Sequence, residues 1–136
     1  MTFFEEQFVS TVRRLVREKP DFIYQLPEIW SDHLQDFVKS GSCMYVELDP
    51  ESDKLCGSCL LGQALLELGV DVNILYQGGD HKNNSQSFDH LAAELELPLR
   101  AQVIEWAATV QRYQDNNRPW GEALRLADEQ FPQLGL

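Results

Sequence analysis

Basic residues are scarce in this chain. Eleven Lys and Arg stand against twenty-two Asp and Glu, for a formal net charge of -11. Sequence-independent nucleic-acid binding needs a cationic face to neutralise phosphates, so direct binding of DNA or RNA is not expected. The one local run of positive charge, Arg13, Arg14, Arg17 and Lys19, is accounted for by the last turn of a helix whose dipole favours cations. Long apolar runs are missing as well. None approaches the ~18 residues of a membrane span. The opening Met1-Thr2-Phe3-Phe4-Glu5-Glu6 is acidic where a secretory signal would be basic, so the expected setting is a cytoplasm, away from any membrane. Cysteine is sparse and odd in number, at three, which argues against a disulfide framework and for free thiols or a metal. Neither G-x-x-x-x-G-K-S/T, G-x-S-x-G, H-E-x-x-H nor D-x-D-x-D-G occurs, so no catalytic set is legible.

What is present organises itself around residues 56–69, Cys56-Gly57-Ser58-Cys59-Leu60-Leu61-Gly62-Gln63-Ala64-Leu65-Leu66-Glu67-Leu68-Gly69. Wound as a helix at about 100° per residue, the leucines and Ala64 cover most of the circumference. Cys59, Gln63 and Glu67 form a narrow polar stripe. Such a helix belongs in the centre of a fold, and Gly69 suits a left-handed cap at its end. The fold expected is mainly α: a single compact domain of about five or six helices around a central buried helix (58–69), with one short strand or hairpin near 43–48.

The other elements follow in order. Thr2 and Glu5 make a capping box for a helix carrying Phe4, Phe8, Val12 and Leu15 on one stripe and stopping before Pro20. A second helix is expected from Pro27 to Lys39, with Trp30, Leu34, Phe37 and Val38 inward. Residues 43–48 alternate as a strand, Met44, Val46 and Leu48 against Cys43, Tyr45 and Glu47, before a turn at Asp49-Pro50. Residues 70–76 fit either strand or helix. The polar run 77–86 reads as a mobile loop. Ser87 suits an N-cap for a short helix with Leu91, Ala92 and Leu95 inward. Pro98 is expected to open the longest helix, to Asp115, with Gln114 on its apolar stripe and bonded to neighbouring backbone. Pro119 starts a last helix burying Trp120, Ala123, Leu124 and Ala127.

Three readings of the cysteines stand side by side. Cys43, Cys56 and Cys59 give C-x12-C-x2-C, and zinc would need a fourth ligand from His33, His81 or His90. Cys56-Gly57-Ser58-Cys59 at a helix start resembles the thioredoxin motif, where helix amides lower the first thiol's pKa. The likeness stops at those four residues. The third reading treats the cysteines as small buried hydrophobes, with Cys43 against Cys59. The pairs Asp80-His81 and Asp89-His90 lack an evident nucleophile, and Glu94, Glu96, Asp128 and Glu129 read as solvated helix faces.

Cys43-Met44-Tyr45, then Cys59-Leu60-Leu61-Gly62-Gln63-Ala64-Leu65 with Leu68-Gly69, then Val110-Gln111, Gln114-Asp115 and Pro119-Trp120-Gly121-Glu122-Ala123 resemble a loose group of small proteins from actinobacteria and their bacteriophages. That resemblance implies Cys43 and Cys59 as the recurrent pair, with Cys56 an extra, and it implies no activity. The expected function is that of a small acidic, non-enzymatic interaction protein, a phage accessory or host-modulating factor in the host cytoplasm. One variant is an acidic decoy that imitates nucleic acid. A protein partner is expected, and a homodimer through the aromatic first helix is conceivable. The alternatives are a structural zinc module and a thiol redox factor. No cofactor is expected beyond that zinc.

Overall fold

A computed structural model describes residues 2–26, 28–39, 44–49, 51–76, 84 and 86–134, with the backbone alone at 29, 30, 38 and 39. Helix α1 (Phe3–Glu18) is followed by a hairpin of β1 (Glu28–Ser31) and β2 (Asp36–Lys39) and a second hairpin of β3 (Val46–Leu48) and β4 (Leu55–Gly57). Helices α2 (Leu60–Glu67), α3 (Val72–Tyr76), α4 (Phe88–Glu94), α5 (Ala101–Asp115) and α6 (Trp120–Gln130) follow among the described residues. The architecture is mainly α, a compact domain whose buried side chains form one cluster.

Helix α2 sits at the centre, packed against α1, β4 and α5. It begins at Leu60 and not at Ser58, with Cys59 as N-cap. Leu60, Leu61, Gly62, Ala64 and Leu65 are all buried. Its C-terminus closes as expected on Gly69, at φ 92°, with Gly69 N–H on Leu66 O and Val70 N–H on Leu65 O. This is the Schellman arrangement, and the left-handed position suits a residue without Cβ.

The expected helix over 27–39 is replaced by the first hairpin. Its register pairs Ile29 with Val38 and Trp30 with Phe37, residue types that favour strands. The same residues fit helical spacing, but the polar centre decides otherwise. Ser31 Oγ accepts the Leu34 amide at 3.2 Å, Gln35 Nε2 donates to Asp32 O at 2.7 Å, and Gln35 adopts φ 52°. These local bonds close a turn where a helix would have to continue. Leu34 and Phe37, expected inside, are each 61% exposed.

The strand near 43–48 is shorter than expected, and its partner β4 contains Cys56. Simple alternation fails there. Tyr45 and Val46 are both fully buried while Leu48 is exposed. Asn84 accounts for this, because its amide side chain accepts from Val46 N–H at 2.9 Å and donates to Val46 O at 3.1 Å. It occupies the open edge of β3 as a third strand would. Asn84 is itself fully buried, so at that position the expectation of a mobile loop is wrong. Residues 77–83 and 85 lie outside the described residues.

Of segment 70–76, Val72–Tyr76 is helix. Asp71 Oδ1 accepts the Asn73 amide at 2.8 Å and starts α3. Helix α5 begins at Ala101, three residues beyond Pro98, and is one residue shorter than α1.

Candidate functional site

The expected site is placed only in part, since Cys43 and His81 lie outside the described residues. Of the remaining members, Cys56 is exposed on β4, Cys59 is buried at the head of α2, and His33 and His90 are exposed on different elements. Among the described residues no three His, Cys, Asp or Glu side chains come together to hold a metal ion.

The C-x-x-C stretch is split between two elements. Cys56 lies three residues before the N-cap, opposite Glu47 in the β3–β4 register, so the helix amides and dipole are not focused on its sulfur. Its thiol donates weakly to Glu47 O at 3.5 Å. Desolvation, followed by the negative charges of Glu47 and Asp49, pushes the Cys56 thiol above the ordinary cysteine range. That is the opposite of what a nucleophilic or redox cysteine requires. Alkylation of Cys56 by iodoacetamide, followed in a Cys43→Ser background, should therefore titrate above a free thiol. Cys56→Ser should change stability by less than about 0.5 kcal/mol. A midpoint below the free-thiol range would restore the redox reading.

Asp89 and His90 acquire a hydroxyl neighbour that sequence did not make evident. Ser87 Oγ lies 3.2 Å from His90 Nδ1, and His90 Nε2 lies 4.0 Å from Asp89 Oδ2. Ser87 takes the N-cap position of α4, but its side chain caps no amide there. The three groups are exposed, so water competes for every bond. They form a solvated turn rather than an oriented catalytic set.

What the structure does bring together is a set of remote helix caps. The Cys59, Ser87, Arg100 and Pro119 N-caps make no side-chain cap bond of their own. Gln114 Oε1 accepts from Leu60 N–H at 3.0 Å and from Trp120 Nε1 at 3.2 Å. Gln111 Oε1 accepts from Phe88 N–H at 3.1 Å, and its Nε2 donates to the Tyr45 hydroxyl at 3.1 Å. The buried Glu5 carboxylate accepts from Arg100 N–H at 2.6 Å and Arg100 Nε at 3.0 Å, so it is engaged across the fold, away from the N-cap amide of its own helix. Pro20 O and Phe22 O accept from Gly121 N–H at 2.8 Å and Trp120 N–H at 2.9 Å. Four helix starts thus depend on groups distant in sequence.

Asp128 is likewise not a solvated acid. It takes a two-point bond from Arg13, at 2.9 and 3.0 Å, and a third from Trp106 Nε1 at 2.9 Å. The Arg13 guanidinium stacks over Trp106 at 5.3 Å from the ring centre. The dipole account of the basic run is therefore incomplete, since Arg14 also bridges to Glu18 and Glu67.

The feature turned outward is the β1–β2 hairpin. Its strands make their principal contacts with each other, and it presents Leu34 and Phe37 beside Glu28, Asp32 and Asp36. On α1, Phe3 is 78% exposed while Phe4 packs against the core. Among the described residues no helix is long and apolar enough to cross a membrane. No protein-family model, no curated protein and no solved structure matches the chain.

Proposed function

We propose that the chain is a small acidic, non-enzymatic interaction protein that receives a basic segment of a partner protein on its β1–β2 hairpin. The exposed hairpin is the observation that carries this reading. A two-stranded ribbon standing alone is marginal in water and gains stability from a third strand or a packed surface. The edges of a two-stranded ribbon are where a further strand adds. Leu34 and Phe37 offer apolar anchors, and Glu28, Asp32 and Asp36 set the preferred partner charge as positive. Two copies of a chain with net charge -11 repel, which favours a basic partner over a homodimer. The resemblance of the Cys43–Tyr45, Cys59–Leu65 and Pro119–Ala123 motifs to phage and actinobacterial chains supports a role as a phage accessory or host-modulating factor in the host cytoplasm.

The double substitution Leu34→Ser/Phe37→Ser tests the reading. Capture from an actinobacterial lysate should recover a basic protein with the wild-type chain, weaken as salt rises, and fall at least about tenfold with the variant. The melting temperature should stay close to that of the wild type, because both side chains are exposed. Equal recovery by the two proteins would discard the hairpin as the docking element.

A further inference from the structure

A cleft of about 440 Å³ opens between α4, α5 and the end of α6, lined by Asp89, Glu105, Ala108, Thr109, Arg112, Gln130 and Phe131. Glu105, Ala108, Thr109 and Arg112 recur at i, i+3, i+4 and i+7, so one face of α5 forms its floor. Opposite charges stand at the two ends of that face, separated by seven residues and therefore by about 10 Å along the axis.

Among the described residues two arginines, Arg17 and Arg112, hold no carboxylate, and Arg112 is the one that faces the cleft. Arg13, Arg14, Arg100, Arg118 and Arg125 each hold a carboxylate. Arg112 donates one NH2 group to Thr109 Oγ1 at 3.0 Å, and among the described residues no carboxylate lies within ion-pair distance of it. Glu105 likewise has no cationic partner among the described residues. In a chain with twice as many acids as bases, an arginine facing a cleft without a carboxylate leaves a fork of donors open for an anion. At the other end Glu105 offers a carboxylate to a cation. Ala108 and Phe131 provide an apolar wall, and Thr109 and Gln130 provide polar groups between the charged ends.

We infer that this cleft binds a small zwitterion of dipeptide size, its carboxylate on Arg112 and its ammonium at Glu105. The charge separation sets the length. A free amino acid holds its two charges too close together to meet both ends at once. The cleft volume falls within the range of small-molecule sites. The inference is independent of the hairpin, which lies on other elements.

Glycyl-leucine, titrated into 15N-labelled protein, is the probe. Saturable shifts are expected at amides 105–112, with leucine alone binding at least about threefold more weakly. Blocking either terminus, by N-acetylation or C-amidation, should weaken binding by about tenfold. Arg112→Gln should weaken the free dipeptide by a similar factor and remove the effect of C-amidation. Glu105→Gln should remove most of the effect of N-acetylation. Arg112→Lys, which keeps the charge and loses the fork, should fall between wild type and Arg112→Gln. The inference is overturned by the absence of saturable shifts, by shifts centred elsewhere, by leucine binding as well as the dipeptide, or by undiminished binding of the doubly blocked compound.

Discussion

Gly62→Ala should abolish the fold. A Cβ at this position would lie 1.9 Å from Tyr45 O, 2.6 Å from its carbonyl carbon and 2.7 Å from its Cα. All three are backbone atoms, so no rotamer change can relieve the overlap. Tyr45 O is also held by Ser58 N–H at 2.9 Å, and Tyr45 N–H by Asn84 O at 3.3 Å. The strand cannot retreat without breaking these bonds. Ordinary overpacking costs about 1–3 kcal/mol, and an overlap with fixed backbone belongs beyond that range, at about 4 kcal/mol or more. Against a total stability of roughly 5–15 kcal/mol, such a loss leaves little native protein.

Gly69→Ala is the control within the same helical segment. There a Cβ meets nothing within 4 Å, and the cost comes only from φ 92°. About 1–2 kcal/mol is expected for that left-handed backbone. Urea denaturation followed by far-ultraviolet circular dichroism distinguishes the two. A folded Gly62→Ala protein with a midpoint near that of Gly69→Ala would show that α2 and the β3 backbone do not approach as described.

Gly62 also marks the limit of what the sequence makes legible. Periodicity identifies α2 as a central helix because its apolar residues run around most of its surface. It cannot say which neighbour needs a glycine, since the close approach of Tyr45 comes from elsewhere in the chain. The hairpin at 28–39 shows a related limit. Trp30, Leu34, Phe37 and Val38 satisfy helical spacing, while Ile29, Trp30, Phe37 and Val38 also suit two facing strands. The outcome is set by Ser31 and Gln35, whose side chains close the turn on Leu34 N–H and Asp32 O. Leu34 and Phe37 were consequently expected inside and lie outside. Local signals succeeded where the decisive bond is local, as with the Thr2 hydroxyl on Glu5 N–H at 3.1 Å or the Gly69 cap. Ser87 is the exception, in the right position with its hydroxyl turned to His90. Asp128 looks solvated in the sequence because nothing nearby announces Arg13 and Trp106. Arg112 carried no signal at all, because an arginine that bonds only Thr109 and no carboxylate among the described residues is visible only after the other pairings are known.

Gln114 is the one long-range polar contact that the sequence did announce, and its removal should have the second-largest effect. Its side chain is almost fully buried on the apolar stripe of α5. One oxygen serves two donors on different helices, Leu60 N–H at the start of α2 and Trp120 Nε1 at the start of α6. Its amide nitrogen donates to Asp115 Oδ1 at 3.0 Å. Gln114→Leu preserves the approximate shape and leaves both donors buried without an acceptor. Each orphaned group costs about 1–3 kcal/mol, so a loss of roughly 2–5 kcal/mol is expected. Trp120→Phe removes one of those donors. In a double-mutant cycle the two changes should be less than additive by about 1 kcal/mol or more, since Trp120→Phe leaves Gln114→Leu with one fewer group to orphan. Strict additivity would mean that the indole and the glutamine do not share the oxygen. The local consequence is equally specific: hydrogen exchange in Gln114→Leu should accelerate first at Leu60 and Leu61, where α2 loses its cap. Uniform acceleration across the chain would instead assign Gln114 to general packing. The residue's importance lies in tying the starts of two helices to a third, a task that the N-caps Cys59 and Pro119 do not perform with their own side chains.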